Sequence, residues 1–282
     1  MTRVRSNLRA GLILAILAAG CGTNKPLPEP SLLEEAASYT AAFERDMKLG
    51  RYQLALTDAR KALDISRILD RDDQVALSLN NLGTVQERLG ITVAAEDAYR
   101  EAMEISRRAD AVRTLAVSIN NLAGMIVETD PEQARVLALE VFEMGRSRSW
   151  EDIMARALNT RARAALERGT AGEARTLCDR ALELALKAHE NGTRAACLVT
   201  RGRIEALAGD VKSAVSSVEE ALAIDRELAD PYAIAMDYRR LAEIHDGAGE
   251  GKAAGISREK ADRIFRILGI GGKYLEGKGG KE

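Results

Sequence analysis

Proline is scarce. The chain has five in 282 residues, at 26, 28, 30, 131 and 231, so nearly everything after residue 30 lacks the residue that interrupts helices. Aromatic residues make up 4% of the sequence against 46% for all hydrophobic residues, so any core must be aliphatic. Only two histidines occur, His189 and His245, and neither stands in a metal-ligand spacing such as His-Glu-x-x-His. No metal site and no cofactor are therefore expected. Charge of one sign is also missing: 41 Lys and Arg against 43 Asp and Glu leave a net charge of −2, without the basic footprint of a nucleic-acid binder. Carboxylates are plentiful, but no pair is singled out for acid–base chemistry, and an enzyme is not expected. Gly247-Ala-Gly-Glu-Gly-Lys252 falls one residue short of a phosphate loop, with Ala253 where Ser or Thr is required, and reads as an inter-helix turn.

One apolar run is present, at the beginning. Arg3, Arg5 and Arg9 precede residues 11–20, Gly-Leu-Ile-Leu-Ala-Ile-Leu-Ala-Ala-Gly, in the layout of a secretory signal peptide. As a helix this run spans about 15 Å, half the ~30 Å of a bilayer core. Leu17-Ala-Ala-Gly-Cys21 resembles the lipobox of bacterial lipoproteins, with the leucine one place further from the cysteine than is usual. The resemblance implies removal of residues 1–20 and acylation of Cys21, which anchors the protein in a membrane through lipid. Residues 21–30 carry the three early prolines and read as an extended tether. Gly22 after Cys21, rather than an aspartate, points by the lipoprotein sorting rule to the outer membrane, facing the periplasm.

The remainder repeats with a period of about forty. Ala-Leu-Asp-Ile-Ser at 62–66 returns as Ala-Met-Glu-Ile-Ser at 102–106, and Asn80-Asn81-Leu82 returns as Asn120-Asn121-Leu122. With one residue deleted near Asp130, three columns run through six copies. The first is alanine throughout, at 55, 95, 134, 174, 214 and 254. Steps of seven and then three residues lead to the second and third, which are apolar in every copy and share one stripe of a helix. Glycine at 50, 90, 169, 209 and 249 marks the stop of the preceding helix. Each copy is thus a helix hairpin. Residues 31–270 are expected to hold six of them, and 271–282 to form a flexible Gly/Lys tail. Asp130-Pro131 and Asp230-Pro231 predict helix starts, and Ser149-Trp-Glu-Asp152 predicts a capping box.

Leu82-Gly83, Leu122-Ala123 and Leu241-Ala242, followed in the best copy by Gly90 and Ala95, resemble the tetratricopeptide repeat, in its longer, kinesin-light-chain-like form. The resemblance implies an all-α fold, a right-handed α-solenoid of about six hairpins that binds proteins or extended peptides on its concave face. Arg161 and Arg201 depart from the pattern by occupying the leucine slot, which predicts looser packing in those copies. One first-helix slot reads Asn80, Asn120, Asn159, Val199 and Arg239; one turn later stand Thr84, Gly124, Arg163, Arg203 and Glu243. Related repeats use groove asparagines to clamp a peptide backbone, so the candidate partner groove comprises Asn80, Thr84, Asn120, Asn159, Arg163 and Arg203. Solvated polar positions on a helix face are the alternative reading.

Cys178 and Cys197 remain after Cys21. A turn near Asn191-Gly192 would place them about 13 residues before and about six after it, a mismatch of roughly 10 Å along the helices. That is too far for a disulfide, and both are expected to be buried apolar fillers. The functional expectation is an envelope adaptor or scaffold for other proteins, of the assembly, secretion or pilus-biogenesis type. The alternative is a peptide or small-ligand sensor whose superhelix changes curvature on binding.

Overall fold

A computed structural model describes residues 31–271; the segments expected to be signal sequence and tether, with Cys21, and the expected tail from 272 onward lie outside the described residues. The described residues form twelve helices and no strand. They are α1 (Leu32–Lys48), α2 (Tyr52–Ile68), α3 (Asp72–Arg88), α4 (Thr92–Arg108), α5 (Val112–Ile126) and α6 (Pro131–Arg148), followed by α7 (Glu151–Glu167), α8 (Ala171–Lys187), α9 (Asn191–Leu207), α10 (Val211–Glu227), α11 (Pro231–Gly247) and α12 (Gly251–Ile267). Each odd helix packs on the even helix after it, and odd helices also touch the next odd helix, as in a stack of hairpins. The fold is a tetratricopeptide-like α-solenoid.

The stops recur with a half-period of twenty. Inside hairpins the turn residue is glycine at 50, 90, 169, 209 and 249, each with positive φ. At Gly50 the turn closes with Gly50 N–H donating to the Met47 carbonyl at 3.1 Å and Arg51 N–H to that of Asp46 at 2.8 Å, a Schellman arrangement. Between hairpins the same left-handed conformation falls on Asp70, Asp110, Ser149, His189 and Ala229. Ser149 therefore ends α6 at φ 55° instead of opening α7, whose N-cap is Trp150 with no side-chain cap. The predicted capping box at 149–152 does not form, because the left-handed turn consumes the serine. Asp130 and Asp230 do cap, accepting from the N–H of Gln133 and from those of Tyr232 and Ala233.

Packing follows the columns. All six alanines of the first column are 0% exposed, so helix backbones meet there with nothing larger than a methyl between them. Size is exchanged across each contact. A Cβ on Gly83 would lie 2.7 Å from the Tyr99 ring, and one on Gly202 2.7 Å from Val218 Cγ2. Where the second helix carries small Cys178 or Ala138, the matching first-helix positions are Ala162 and Ala123. The copies containing Arg161 and Arg201 are not loose: the apolar cluster running through α7–α10 surrounds them. Arg201 Nε donates to Ser217 Oγ at 3.2 Å, and the Arg161 guanidinium lies 6.0 Å from the Phe142 ring centre, so their long stems do the work of the missing leucine.

The coil of residues 31–271 returns upon itself. Phe43, Tyr52 and Val85 share one apolar cluster with Ala235, Phe265 and Ile270. Tyr52 meets the edge of Tyr232 with ring centres 6.4 Å apart, and Tyr232 meets Phe265 at 6.0 Å. Arg88 stacks over Tyr232 at 4.1 Å and pairs with Asp230 at 3.6 Å. The hairpin-to-hairpin stack is thereby closed by a seam of side chains alone, α2 and α3 against α11 and α12. Among the described residues no helix is long and apolar enough to cross a membrane.

Candidate functional site

The inner helices α3, α5, α7, α9 and α11 surround a cavity of about 570 Å³. Its wall carries amide, hydroxyl and charged side chains among apolar surface, and its two sides differ. One side carries a ladder of amide and hydroxyl groups between successive hairpins. Asn80 Oδ1 accepts from Asn121 Nδ2 at 3.1 Å and from Ser118 Oγ at 3.3 Å. Asn120 Oδ1 accepts from Thr160 Oγ1 at 3.3 Å, and Asn159 Oδ1 from Thr200 Oγ1 at 2.8 Å. Each rung joins one column of the repeat to the neighbouring column of the next copy. The following rung would pair Val199 with Arg240; valine has no acceptor, and Arg240 Nε is buried without a hydrogen bond.

Where the ladder stops, guanidinium groups gather. Arg163 on α7, Arg203 on α9 and Arg240 on α11 all line the cavity. Burial pulls the pKa of Arg163 down, opposed by Glu128 and reinforced by Arg203 and Arg240. Burial likewise lowers that of Arg240, against the pull of Glu243. Arg203 is committed to Glu167 at 2.5 Å, and Arg240 to Glu243. Arg163 has no ion pair among the described residues; its Nη1 extends to 3.7 Å from where a Cβ on Gly124 would lie. Gly124, in the repeat slot held elsewhere by Thr84 and Arg203, leaves that space open.

Beside this cluster two buried carboxyls face each other. Asp225 on α10 and Asp237 on α11 are 6% and 3% exposed and share a hydrogen bond, while Asp237 Oδ2 has no partner. Burial, then the neighbouring acids, push Asp237 up to about 8, and burial with Asp230 pushes Asp225 up to about 6. The pair thus holds a proton at neutral pH. Arg88, at the seam, is held above its ordinary value despite its desolvation by Asp230 and the nearby tyrosines.

Of the residues read from the sequence, Thr84, Asn120, Asn159, Arg163 and Arg203 line the cavity. Asn80 does not; it is a buried rung of the ladder. Cys21 lies outside the described residues. Arg156, Arg240 and the Asp225–Asp237 pair were missed, although Arg240 occupies the repeat column of Asn121, Thr160 and Thr200, a departure visible in the alignment of copies. Cys178 and Cys197 are free and fully buried as expected, but they are neighbours: the Cys178 thiol donates to the Cys197 carbonyl at 3.2 Å. The turn is centred on His189 and not on Asn191-Gly192, which removes most of the axial offset. Among the described residues no group of His, Cys, Asp and Glu could hold a metal ion.

Comparison with known proteins gives the same architecture. The tetratricopeptide repeat family matches residues 37–108 and 153–227, more than half of the chain. No curated protein sequence matches. Among solved structures, the apo form of RapI is similar at 13% identity with a TM-score of 0.70, over 86% of this chain and 88% of that one. The Rap conjugation gene regulator of plasmid pLS20, in complex with the Phr* peptide, is similar at 16% identity and a TM-score of 0.66, over 87% and 68%. A Rap protein complexed with the competence and sporulation factor follows at 14% identity and 0.64, over 85% and 72%. At these identities the likeness is one of fold.

Proposed function

Since the chain belongs to the tetratricopeptide repeat family, we propose that it is a peptide-binding receptor of the bacterial envelope, tethered to a membrane through lipid on Cys21. The observation that carries this reading is the closed seam around a cavity lined in part by amide and charged side chains. An adaptor for folded proteins needs an open concave face, whereas here that face is turned inward and its circumference is sealed by Tyr52, Arg88, Tyr232 and Asp230. A volume near 570 Å³ suits a short peptide or a metabolite, within the range of small-ligand pockets. The Rap regulator of plasmid pLS20 was solved with a peptide, which supports the same use of a similar coil. Outer-membrane attachment on the periplasmic side follows from the lipobox-like segment and Gly22.

Two measurements test this. A mixed-sequence pentapeptide library incubated with the protein and analysed by native mass spectrometry should leave bound peptides; replacing Gly124, which lines the cavity, with leucine should reduce their retention by filling that space while helicity is unchanged. No retained peptide, or equal retention by the Gly124→Leu variant, rejects the receptor reading. Cys21→Ser should move the protein from the membrane to the soluble fraction; continued membrane retention rejects the lipid anchor.

A further inference from the structure

The outer surface of the coil is electrically uneven, and the repeat makes the unevenness readable. On every second helix the same seven positions, those of Lys252, Ile256, Glu259, Lys260, Arg263, Arg266 and Ile267 on α12, fall on one stripe and are exposed in all six copies. The net charge of that stripe is +2 on α2, 0 on α4, −2 on α6, 0 on α8, −1 on α10 and +3 on α12. The two basic stripes belong to the first and last hairpins, which an open stack would hold at opposite ends. Closure joins them: Leu56 and Ala59 of α2 share a cluster with Ala261 and Phe265 of α12. Their cations are also largely uncommitted. Lys252, Arg263 and Arg266 on α12 and Arg60 on α2 make no ion pair among the described residues, whereas Arg100, Arg107 and Arg146, in the same stripe of α4 and α6, each hold a glutamate. Lys260 and Lys61 lie over the rings of Tyr238 and Tyr39, and Arg67 pairs with Glu101. Glu259 and Asp64 are the carboxylates within the two basic stripes. Between the cations stand apolar side chains: Ile256, Ile267 and Ile68 are 48%, 76% and 68% exposed.

From this we infer that the seam side of the coil, α2 with α12, is a docking face for an anionic lipid surface. Lys and Arg side chains are drawn to such a surface within a Debye length, and isoleucines among them enter the boundary between headgroups and acyl chains. A folded acidic partner would meet the same charges but would gain less from three isoleucines spread along two helices. The opposite sign on α6, a hairpin remote from the seam, favours one orientation of the coil over its reverse. Ser31 follows Cys21 by ten residues, and a chain of that length reaches at most about 35 Å. Lipid on Cys21 would therefore hold the coil close enough for the face to touch the bilayer. The inference rests on the anchored reading for the nearness of a membrane, but not for the charge pattern.

The test uses the full chain carrying Cys21→Ser, so that no acyl chain holds it, and sedimentation with phosphatidylcholine vesicles that contain or lack phosphatidylglycerol. Binding should strengthen with phosphatidylglycerol and fade in high salt. At about fivefold per cation held near such a surface, Arg263→Gln with Arg266→Gln should weaken it roughly thirtyfold. Arg175→Gln with Lys212→Gln, which removes two exposed and unpaired cations from α8 and α10, should change it less than about twofold. Arg3, Arg5 and Arg9 are common to all these variants and cancel from the comparison. Equal binding to both kinds of vesicle, or an equal loss in the two double variants, overturns the face. Capture of a duplex DNA oligonucleotide with the same dependence on Arg263 and Arg266, and no capture by vesicles, assigns the face to nucleic acid and overturns lipid docking. The anchor is judged separately. Retention of Cys21→Ser on cell membranes through a high-salt wash rejects the anchor without touching the docking face, which salt has already released. Release of Cys21→Ser from cell membranes, together with no preference for phosphatidylglycerol, leaves the anchor standing and removes the face.

Discussion

Two sides of one cavity use polar side chains in opposite ways. On the ladder side, Asn80, Asn120 and Asn159 each accept from the following hairpin, so the amide oxygens are spent on holding repeats in register. On the arginine side the same repeat columns carry Val199 and Arg240, the rung is absent, and donors are left over. Paired groups stabilise the coil, whereas unpaired ones are kept at a cost in stability. The difference separates polar residues that build the solenoid from those free to meet a ligand, although all but Asn80 line the same cavity.

The largest expected effect lies on the arginine side. Asp237 rises from an ordinary 3.8 to about 8 and Asp225 from 3.8 to about 6, so the folded chain retains protons that the unfolded chain releases. Stability should therefore fall as pH rises from about 4 to about 8 and level off above, because the native state binds more protons throughout that window. Asp237→Asn should flatten this slope and gain most over the wild type at the alkaline end. Urea denaturation across the pH range measures it, and an unchanged slope would show that the pair is not buried as described. Next, Asn80→Ala removes the acceptor of the buried Ser118 Oγ and of the half-buried Asn121 Nδ2, and should cost about 2 kcal/mol of unfolding free energy.

Val199→Asn is the converse: it supplies an acceptor for Arg240 Nε and should gain about 1 kcal/mol by completing the rung. Loss of stability on that change would mean that the two columns do not face each other between α9 and α11. Smallest is Arg163→Gln, which breaks no ion pair and exchanges an unpaired, half-buried charge for an amide, so unfolding free energy should stay level or rise by up to about 1 kcal/mol. A loss as large as that of Asn80→Ala would place Arg163 among the structural residues and erase the contrast between the two sides.

The repeat was legible because its signals are local. An alanine about every forty residues, a glycine at five of the six hairpin turns and an aspartate before Pro131 or Pro231 each dictate a backbone feature within a few residues. The turns between hairpins were less so. Asp70, His189 and Ala229 take the same left-handed conformation as Gly50, but nothing about alanine announces it; tertiary packing of the flanking helices overrides the preference. Misplacing the turn at His189 by two to three residues sufficed to separate Cys178 from Cys197 on paper. The seam was illegible altogether, because it depends on small rotations accumulated over six hairpins. Half of the candidate cavity was legible as periodic asparagine and arginine slots; its ion pairs were not, because Glu167 and Glu243 reach their partners through geometry that spacing alone does not encode.

Because Gly50 receives Leu268 and Pro231 against its turn, the number of units in this coil is not adjustable. Open arrays of this kind can gain or lose a unit by duplication or deletion and keep working, since each unit needs only its neighbours. Here an extra hairpin would drive the two ends past one another, and a missing one would leave Tyr52 without Tyr232. Variation in this lineage should therefore be confined to substitutions and to the outer faces, with the tally of units held at six.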